Sequence, residues 1–352
     1  MKRSKVEADA EEWVAEQAQS PEVERLREEN ARLSKLLGLV ENYTAKPSVT
    51  PRWRLPKKKH HSRAATCVAQ LSDMHFDEVV NPSEVGGLNA YSREIARLRL
   101  RRWAEKLVEF MLRNPHEWDG LLLLALGDDL SGDIHDELRE TNEDVLSGTV
   151  VFWASELAAA LLFVLDSLEG ELKLPIPIDV RKLVGNHGRF TKHKPFKRRA
   201  RASWDWLLWQ MVASHFKNDK RITFEFAGGS YMFVRVYDRH IFLTHGDEVG
   251  GGGGWSGVFT PLGRIHSNAI ALGVAHGVRP AYSVAGHWHQ TVLAHHRGIV
   301  CGGAVKGWDE FAAGLRLRPE PAMQNVWIET PTHGVTLAGP LFLEDKKAEG
   351  WA

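Results

Sequence analysis

From residue 66 onward, short apolar runs rich in β-branched residues and leucine alternate with longer stretches of helical spacing. The first run, 66–71, predicts a strand. Ile95, Leu98, Leu107, Phe110 and Met111 then recur at helical intervals and predict a helix over 92–113. Residues 121–126 are continuously apolar, as expected of a strand buried on both faces. A long helix over 136–168, a strand over 180–184 and a Trp-rich helix over 203–216 follow. The pattern then changes to crowded short strands, at 222–226, 231–237 and 240–244. A helix over 261–276 leads to a strand at 281–285, and strand-like segments at 290–294, 299–301, 325–329 and 335–337 close the region. Strand–helix alternation followed by a strand-rich half predicts an α/β domain of stacked sheets with helices outside, spanning 65–345.

The beginning of the chain has a different rhythm. Val23, Leu26, Asn30, Leu33, Leu37 and Val40 are spaced three and four residues apart with charged flanks, which is a heptad seam. Residues 1–45 therefore predict a helical, coiled-coil segment. Asn30 at a seam position favours a parallel homodimer; the other reading is an amphipathic helix packed on its own domain. Residues 46–64, with Pro47, Pro51, Pro56 and the run Lys57-Lys58-Lys59-His60-His61, predict a basic linker.

Composition narrows the class. The 352 residues are 43% hydrophobic and 26% charged, an ordinary globular balance. With 45 basic and 45 acidic side chains, net charge points to no polyanionic partner, so local patches must carry that question. Cys67 and Cys301 sit in apolar runs, as core thiols of a reducing compartment do. No apolar segment follows the N-terminal MKRSKVEADAEEW, and the longest apolar stretch, 158–165, is too short to span a bilayer. A cytoplasmic protein without a membrane partner is expected.

The candidate chemistry lies in five short motifs: Asp73-Met74-His75, Gly127-Asp128, Gly185-Asn186-His187, His245-Gly246-Asp247 and Gly286-His287-Trp288-His289. Most follow a predicted strand directly, and strand C-termini are where open α/β sheets place functional groups. Carboxylate, amide and imidazole donors without thiolates suit manganese first, with iron, zinc, nickel or cobalt as alternatives. A bridging carboxylate, for which Asp128 is the natural choice, would hold two divalent ions about 3.5–4 Å apart, so that both contact one phosphoryl group. Such a pair activates water near neutral pH, and a non-ligating histidine can protonate the leaving oxygen.

The ordered set resembles the calcineurin-like metallophosphoesterase superfamily, whose motifs are D-x-H, GD, GNH, H and GHxH, over about 66–337. The wording GDDLSGDIHDEL, VGNHGR and THGDEVGGGG is similar to stand-alone members common in phage and prophage genomes, for which the location would be the host cytoplasm. The resemblance implies a four-layer sandwich, two stacked mixed β-sheets flanked by helices. It also implies that Asp73, His75 and His289 hold one metal, that Asp128 bridges, and that Asn186, His245 and His287 hold the other. His187 would act as general acid or transition-state donor. Two departures stand out. The segment Gly127-Asp128-Asp129-Leu130-Ser131-Gly132 lacks the GDxxDRG arginine and aspartate of many relatives, and Gly188 stands where they carry an acid. Arg189 would either supply the missing positive charge or form a surface salt bridge.

Other residues carry two readings each. His135 would reach the substrate from its loop or open the following helix. Asp77, Asp129 and Asp247 are expected to hydrogen-bond ligating histidines. The glycine run 250–254, with Gly251 and Gly252 as substrate-binding candidates, would approach phosphate or form a plain surface loop, and Trp255 would stack. Arg97, Arg99, Arg101 and Arg102 form one basic stretch. Lys192, Lys194, Lys197, Arg198, Arg199 and Arg201, interleaved with Phe190, Phe196 and Trp204, form another. Either would suit a DNA or RNA strand or be a solvated face. Three functions compete: hydrolysis of a phosphodiester such as nucleic acid, hydrolysis of a phosphomonoester or phosphoprotein, and a non-catalytic coiled-coil assembly protein with a structural metal site.

Overall fold

The computed structural model describes residues 63–251 and 257–351, together with Arg25, Arg27, Glu28, Asn30 and Ala31. The chain divides into a unit Met1–Thr44 and a unit Ala45–Ala352. In the first, the five described residues are helical and exposed, Asn30 among them. The rest of the heptad seam and linker residues 46–62 lie outside the described residues, as do Gly252 and Trp255.

In the second unit, β1 (Ala64–Leu71), β2 (Glu117–Ala125), β3 (Ile178–Lys182) and β4 (Ile222–Phe226) run parallel in sequence order. On the other edge, β10 (Met323–Thr330) pairs antiparallel with β1, and β11 (Gly334–Phe342) pairs antiparallel with β10. The second sheet has the order β5-β6-β7-β9-β8, formed by β5 (Tyr231–Val236), β6 (Arg239–Thr244), β7 (Pro280–Ala285), β9 (Ile299–Cys301) and β8 (Val292–Ala294). Both sheets are mixed, and they stack face to face.

Period-two alternation explains the stacking. Leu122 and Leu124 of β2, Val68 of β1 and Trp327 of β10 meet Val234 and Val236 of β5, Ile241 and Leu243 of β6, and Tyr282 and Val284 of β7 in one core between the sheets. The intervening residues face outward. Phe242 and Ala285 join Leu262, Ile265 and Ala269 of α5 (Phe259–Ala275), which covers the second sheet. On the first sheet, α3 (Leu146–Leu172) lies between α1 (Arg93–Arg113) and α4 (Trp204–His215). Trp103 of α1 donates its indole N–H to the Gln70 carbonyl of β1 at 3.2 Å, tying helix layer to sheet. Helix, sheet, sheet and helix make the four layers that the resemblance implies.

The segment predicted as one helix over 136–168 is two, a short α2 (Asp136–Thr141) and α3. The polar residues between them are spent outside the helix. Asn142 donates its side-chain N–H to the Gly132 carbonyl, Glu143 N–H bonds the Asp77 carbonyl, and the Asp144 carboxylate accepts from Val145 N–H. At 27 residues α3 is long and apolar enough, by length and composition, to cross a membrane, so the apolar segment extends well beyond 158–165. Its inner stripe, which includes Val150, Trp153, Leu157, Leu161 and Val164, is packed in this fold.

Candidate metal centre

All five motifs leave the C-terminal ends of parallel strands at one rim of the sandwich: β1, β2 and β3 in one sheet, β6 and β7 in the other. The loops are bonded to one another. Asp73 N–H donates to the Gly127 carbonyl at 2.9 Å and His75 N–H to the Asp128 carbonyl at 3.1 Å. His287 N–H reaches Asp73 Oδ1 at 2.8 Å, and His187 N–H reaches Asp128 Oδ1 at 2.7 Å. Gly127 is required by close approach: at φ +100° a Cβ there would lie 2.2 Å from the Gly185 nitrogen.

Strain is concentrated in the same residues. Asp73, His75, Asp128, His287 and His289 all have left-handed backbone, with φ between 47° and 72°. Non-glycine residues adopt this region at a cost, and such outliers cluster at functional sites.

The side chains converge with few partners besides each other. Two imidazole nitrogens, His75 Nε2 and His289 Nε2, face one another at 3.1 Å, and His289 Nε2 lies 3.5 Å from Asp73 Oδ1. His245 Nε2 lies 3.0 Å from Asp128 Oδ2 and 3.2 Å from Asn186 Oδ1. One set of donor atoms, from Asp73, His75 and His289, falls within 4.8 Å of one another, and so does a second set from Asp128, His245 and His287. Asp73 Oδ2 is buried without a hydrogen-bond partner. Imidazole nitrogens and carboxylate oxygens crowded around a buried, unpaired carboxylate oxygen fit a cation pair, and the mixed O/N donor set fits a divalent transition metal. The residues present therefore fit the group that the resemblance implies.

The electrostatics agree. Burial pushes the Asp128 carboxyl up, but His245 and His187 outweigh it and hold it well below its ordinary value. Burial pushes Asp73 up as well, and His289 and His245 draw it down. Burial, together with Lys306 and His187, lowers His75 to about 4. His287 falls to about 4 through burial and the His245 charge. His245 alone moves upward, to about 10, because the Asp128 carboxylate outweighs its burial. Deprotonated carboxylates and the neutral imidazoles of His75 and His287 are forms that bind metal, whereas His245 holds a proton on Asp128 and would have to release it to bind a metal.

The tautomers are set from outside. His245 Nδ1 lies 2.8 Å from the Leu126 carbonyl, which can only accept, so the proton sits there and Nε2 faces inward. His75 Nδ1 lies 3.2 Å from Glu78 Oε2, close in distance but without a hydrogen bond, and Glu78 is paired with buried Lys306 at 2.8 Å. His187 Nδ1 lies 2.9 Å from the carbonyl of Ser131, the residue at the GDxxD aspartate position. A backbone oxygen thus orients His187 in place of the missing carboxylate. One ring nitrogen of His187 approaches closely enough for His75, Asp128 and His187 to form a third such set.

The three aspartates expected to brace histidines do other work. Asp77 pairs with Arg93 and accepts from Thr149 Oγ1 and, at 2.9 Å, from the Trp153 indole. Asp129 pairs with buried Lys182. Asp247 is held by Arg199 and Lys194. The carboxylate beside the His75 ring is Glu78, one residue past Asp77. Asp205 was also missed. From the first turn of α4, its buried Oδ2 accepts the N–H of Asp128 at 3.1 Å and of Gly185 at 3.0 Å, joining two motif loops. A Cβ on Gly188 would lie 2.5 Å from Asp205 Oδ1, so this carboxylate fills the space beside Gly188 and leaves no room for a side chain there. Arg189 forms no salt bridge among the described residues; its guanidinium donates to the carbonyls of Asn186, Thr191 and Lys192 and keeps its charge beside the third motif. His135 stands at the N-cap of α2 without a side-chain cap bond, its ring 6.0 Å from that of His187. The Gly251 carbonyl accepts from the Trp288 indole at 3.0 Å.

No protein-family model and no curated protein matches the chain. Among solved structures, the Thermus thermophilus sulfate thiohydrolase SoxB in complex with glycerol is 11% identical, with a TM-score of 0.28, over 84% of this chain and 60% of that one. The chain thus spans less than two thirds of that protein. A dimetal phosphatase from Danio rerio is 12% identical, with a TM-score of 0.29, over 79% of this chain and 99% of that one. The chemistry of the site follows from this chain's own donor set.

Proposed function

We propose that the protein is a dinuclear, metal-dependent phosphoesterase whose substrate is a phosphodiester. The observation that carries this reading is the convergence of Asp73, His75, Asp128, Asn186, His245, His287 and His289 at one rim, with an unpaired buried oxygen and facing imidazoles among them. Asp73, His75 and His289 would hold one ion, Asn186, His245 and His287 the other, and Asp128 would bridge. When bound, manganese or a similar divalent pair supplies Lewis acidity toward phosphoryl oxygens and lowers the pKa of water.

The chain's own residues supply the rest. As the proposed proton donor, His187 keeps Nδ1–H on the Ser131 carbonyl. Its Nε2–H is then available to protonate the leaving oxygen. The Leu126 carbonyl fixes the ring of His245, the Glu78 carboxylate lies beside that of His75, and Asp205 fixes the backbone that presents Asp128 and Asn186.

Purified protein should hydrolyse a bis(nitrophenyl) phosphate with manganese, and faster than a nitrophenyl monoester. Asp128→Asn should lower that rate by more than the roughly 10–100-fold typical of losing an outer-shell partner, and should lower bound metal measured by calorimetry. Wild type inactive on both esters with every ion of the manganese-to-zinc series would end this reading, and a preference for the monoester would replace the diester with a phosphomonoester.

A further inference from the structure

The loop that follows the third motif carries cations the fold does not use. Two of its basic residues are employed: Arg199 is paired with Asp247, and Lys194 donates to the Asp247 carbonyl at 2.6 Å. These bonds hold the loop against the His245 motif. Arg189 braces its start through three backbone carbonyls, and Phe190 N–H bonds the Ala202 carbonyl at 3.1 Å to close its base. Lys194, Pro195 and Arg199 share a small recess with Gly185 and Asn186, so the loop abuts the proposed metal pair.

The remaining side chains point to solvent. Lys192, Lys197, Arg198 and Arg201 are exposed, and among the described residues none has an acidic partner. Phe196, between Pro195 and Lys197, is 100% exposed. A fully exposed phenylalanine on an anchored loop gains nothing from the fold. Flanked by unpaired cations beside a phosphoester site, it matches a stacking platform for an unpaired base with phosphates on either side. A duplex keeps its bases stacked internally and offers no face to such a ring.

We infer that this loop is a strand-binding surface, with Phe196 stacking on a base and Lys197, Arg198 and Arg201 contacting phosphates, and that the substrate is a single-stranded nucleic acid. The inference rests on the phosphoesterase reading for its direction toward the metal pair, but binding can be measured apart from cleavage.

The test uses the full chain with manganese and cleavage-resistant phosphorothioate oligonucleotides, deoxy and ribo, followed by fluorescence anisotropy. Phe196→Ala should weaken binding of at least one of them by about tenfold, within the range of one base–aromatic stack, and the arm more weakened names the strand. The triple variant Lys197→Ala, Arg198→Ala, Arg201→Ala should flatten the dependence of log affinity on log salt by about 2, at roughly 0.7 per phosphate contact. Circular dichroism confirms that both variants fold. Unchanged oligonucleotide binding by both variants overturns the inference. So does binding of polyglutamate or phosphatidylserine vesicles as tight as that of oligonucleotides, which would make the loop a general anion or membrane surface. If wild type cleaves the nitrophenyl diester while the loop variants bind normally, the inference fails and the phosphoesterase reading stands. If wild type cleaves nothing, that reading fails first.

Discussion

Arg97, Arg99, Arg101 and Arg102 on α1 and the cations of the 192–201 loop share one signature in the sequence, several basic residues within ten positions. In the fold, Arg99 is fully buried and donates to the carbonyls of Val305, Lys306 and Ala90, to Asn89 Oδ1, and to Glu349 Oε2 at 2.9 Å. Arg102 joins it on Glu349 and donates separately to the Leu343 carbonyl. The loop has the opposite economy. Arg199 and Lys194 anchor it, and four cations and a phenylalanine face water. A helix has a phase: positions 99 and 102 fall on the side turned toward the chain end, and their charge is consumed there. A loop has no such phase, and its cations stay available. The lesson is that a basic run acquires meaning only from which of its members already have partners.

Arg99→Ala is the strongest way to break this contrast. It strips Glu349 of a buried partner and leaves three carbonyls short of a donor. Breaking one side of a buried pair costs about 3–5 kcal/mol, so thermal unfolding should begin about 10 °C lower, at roughly 2–4 °C per kcal/mol. A shift under about 2 °C would mean that Arg99 is no more a brace than the loop cations.

Most of the fold was legible because its strands are short apolar runs bounded by polar chemistry. The convergence of the candidate ligands follows from a related pattern: each is a single residue just past a strand, and parallel strands bring their ends to one rim. What supports the ligands was not legible. Glu78 and Lys306 are 228 positions apart, and Asp128 and Asp205 are 77 apart. Asp205, in the first turn of a helix capped by Ser203, reads simply as a helix start. Asp77 misled because it adjoins a motif, yet Arg93 and the α3 residues Thr149 and Trp153 claim both its oxygens. The break between α2 and α3 depends on Asn142, Glu143 and Asp144 finding partners outside the helix, which spacing does not encode.

The contrast also has a pH signature. Burial pushes Glu349 up, but its hydrogen bonds and charge interaction with Arg99 outweigh that and hold it below its ordinary value. A carboxylate depressed in the folded state contributes stability fully above its unfolded pKa, about 4.3 for glutamate. That contribution is lost as pH falls through the folded value. The difference in unfolding temperature between wild type and Arg99→Ala should therefore be constant from pH 6 to 8 and narrow below the usual carboxylate range. Lys197→Ala with Arg198→Ala, which touch no carboxylate among the described residues, should show no such convergence. A gap of constant width down to pH 3 would show that Arg99 acts through the carbonyls alone and not through Glu349.

The smallest expected effects discriminate most finely. Arg97, on the same helix as Arg99, pairs with Glu156 at 3.0 Å with its side chain 52% exposed. An exposed pair of this kind is worth about 0.2–1 kcal/mol, so Arg97→Ala should lower the unfolding temperature by no more than about 3 °C. Removing Lys197, Arg198 and Arg201 together should fall within about 0.5 kcal/mol of wild type, as surface substitutions without partners do. Stability should thus descend from Arg99 through Arg97 to the loop, while the salt dependence of oligonucleotide binding runs the other way, unaffected by Arg97→Ala and flattened by the loop variant. If the loop variant instead unfolds several degrees early, its cations hold the fold as Arg99 does, and the division between consumed and available charge collapses.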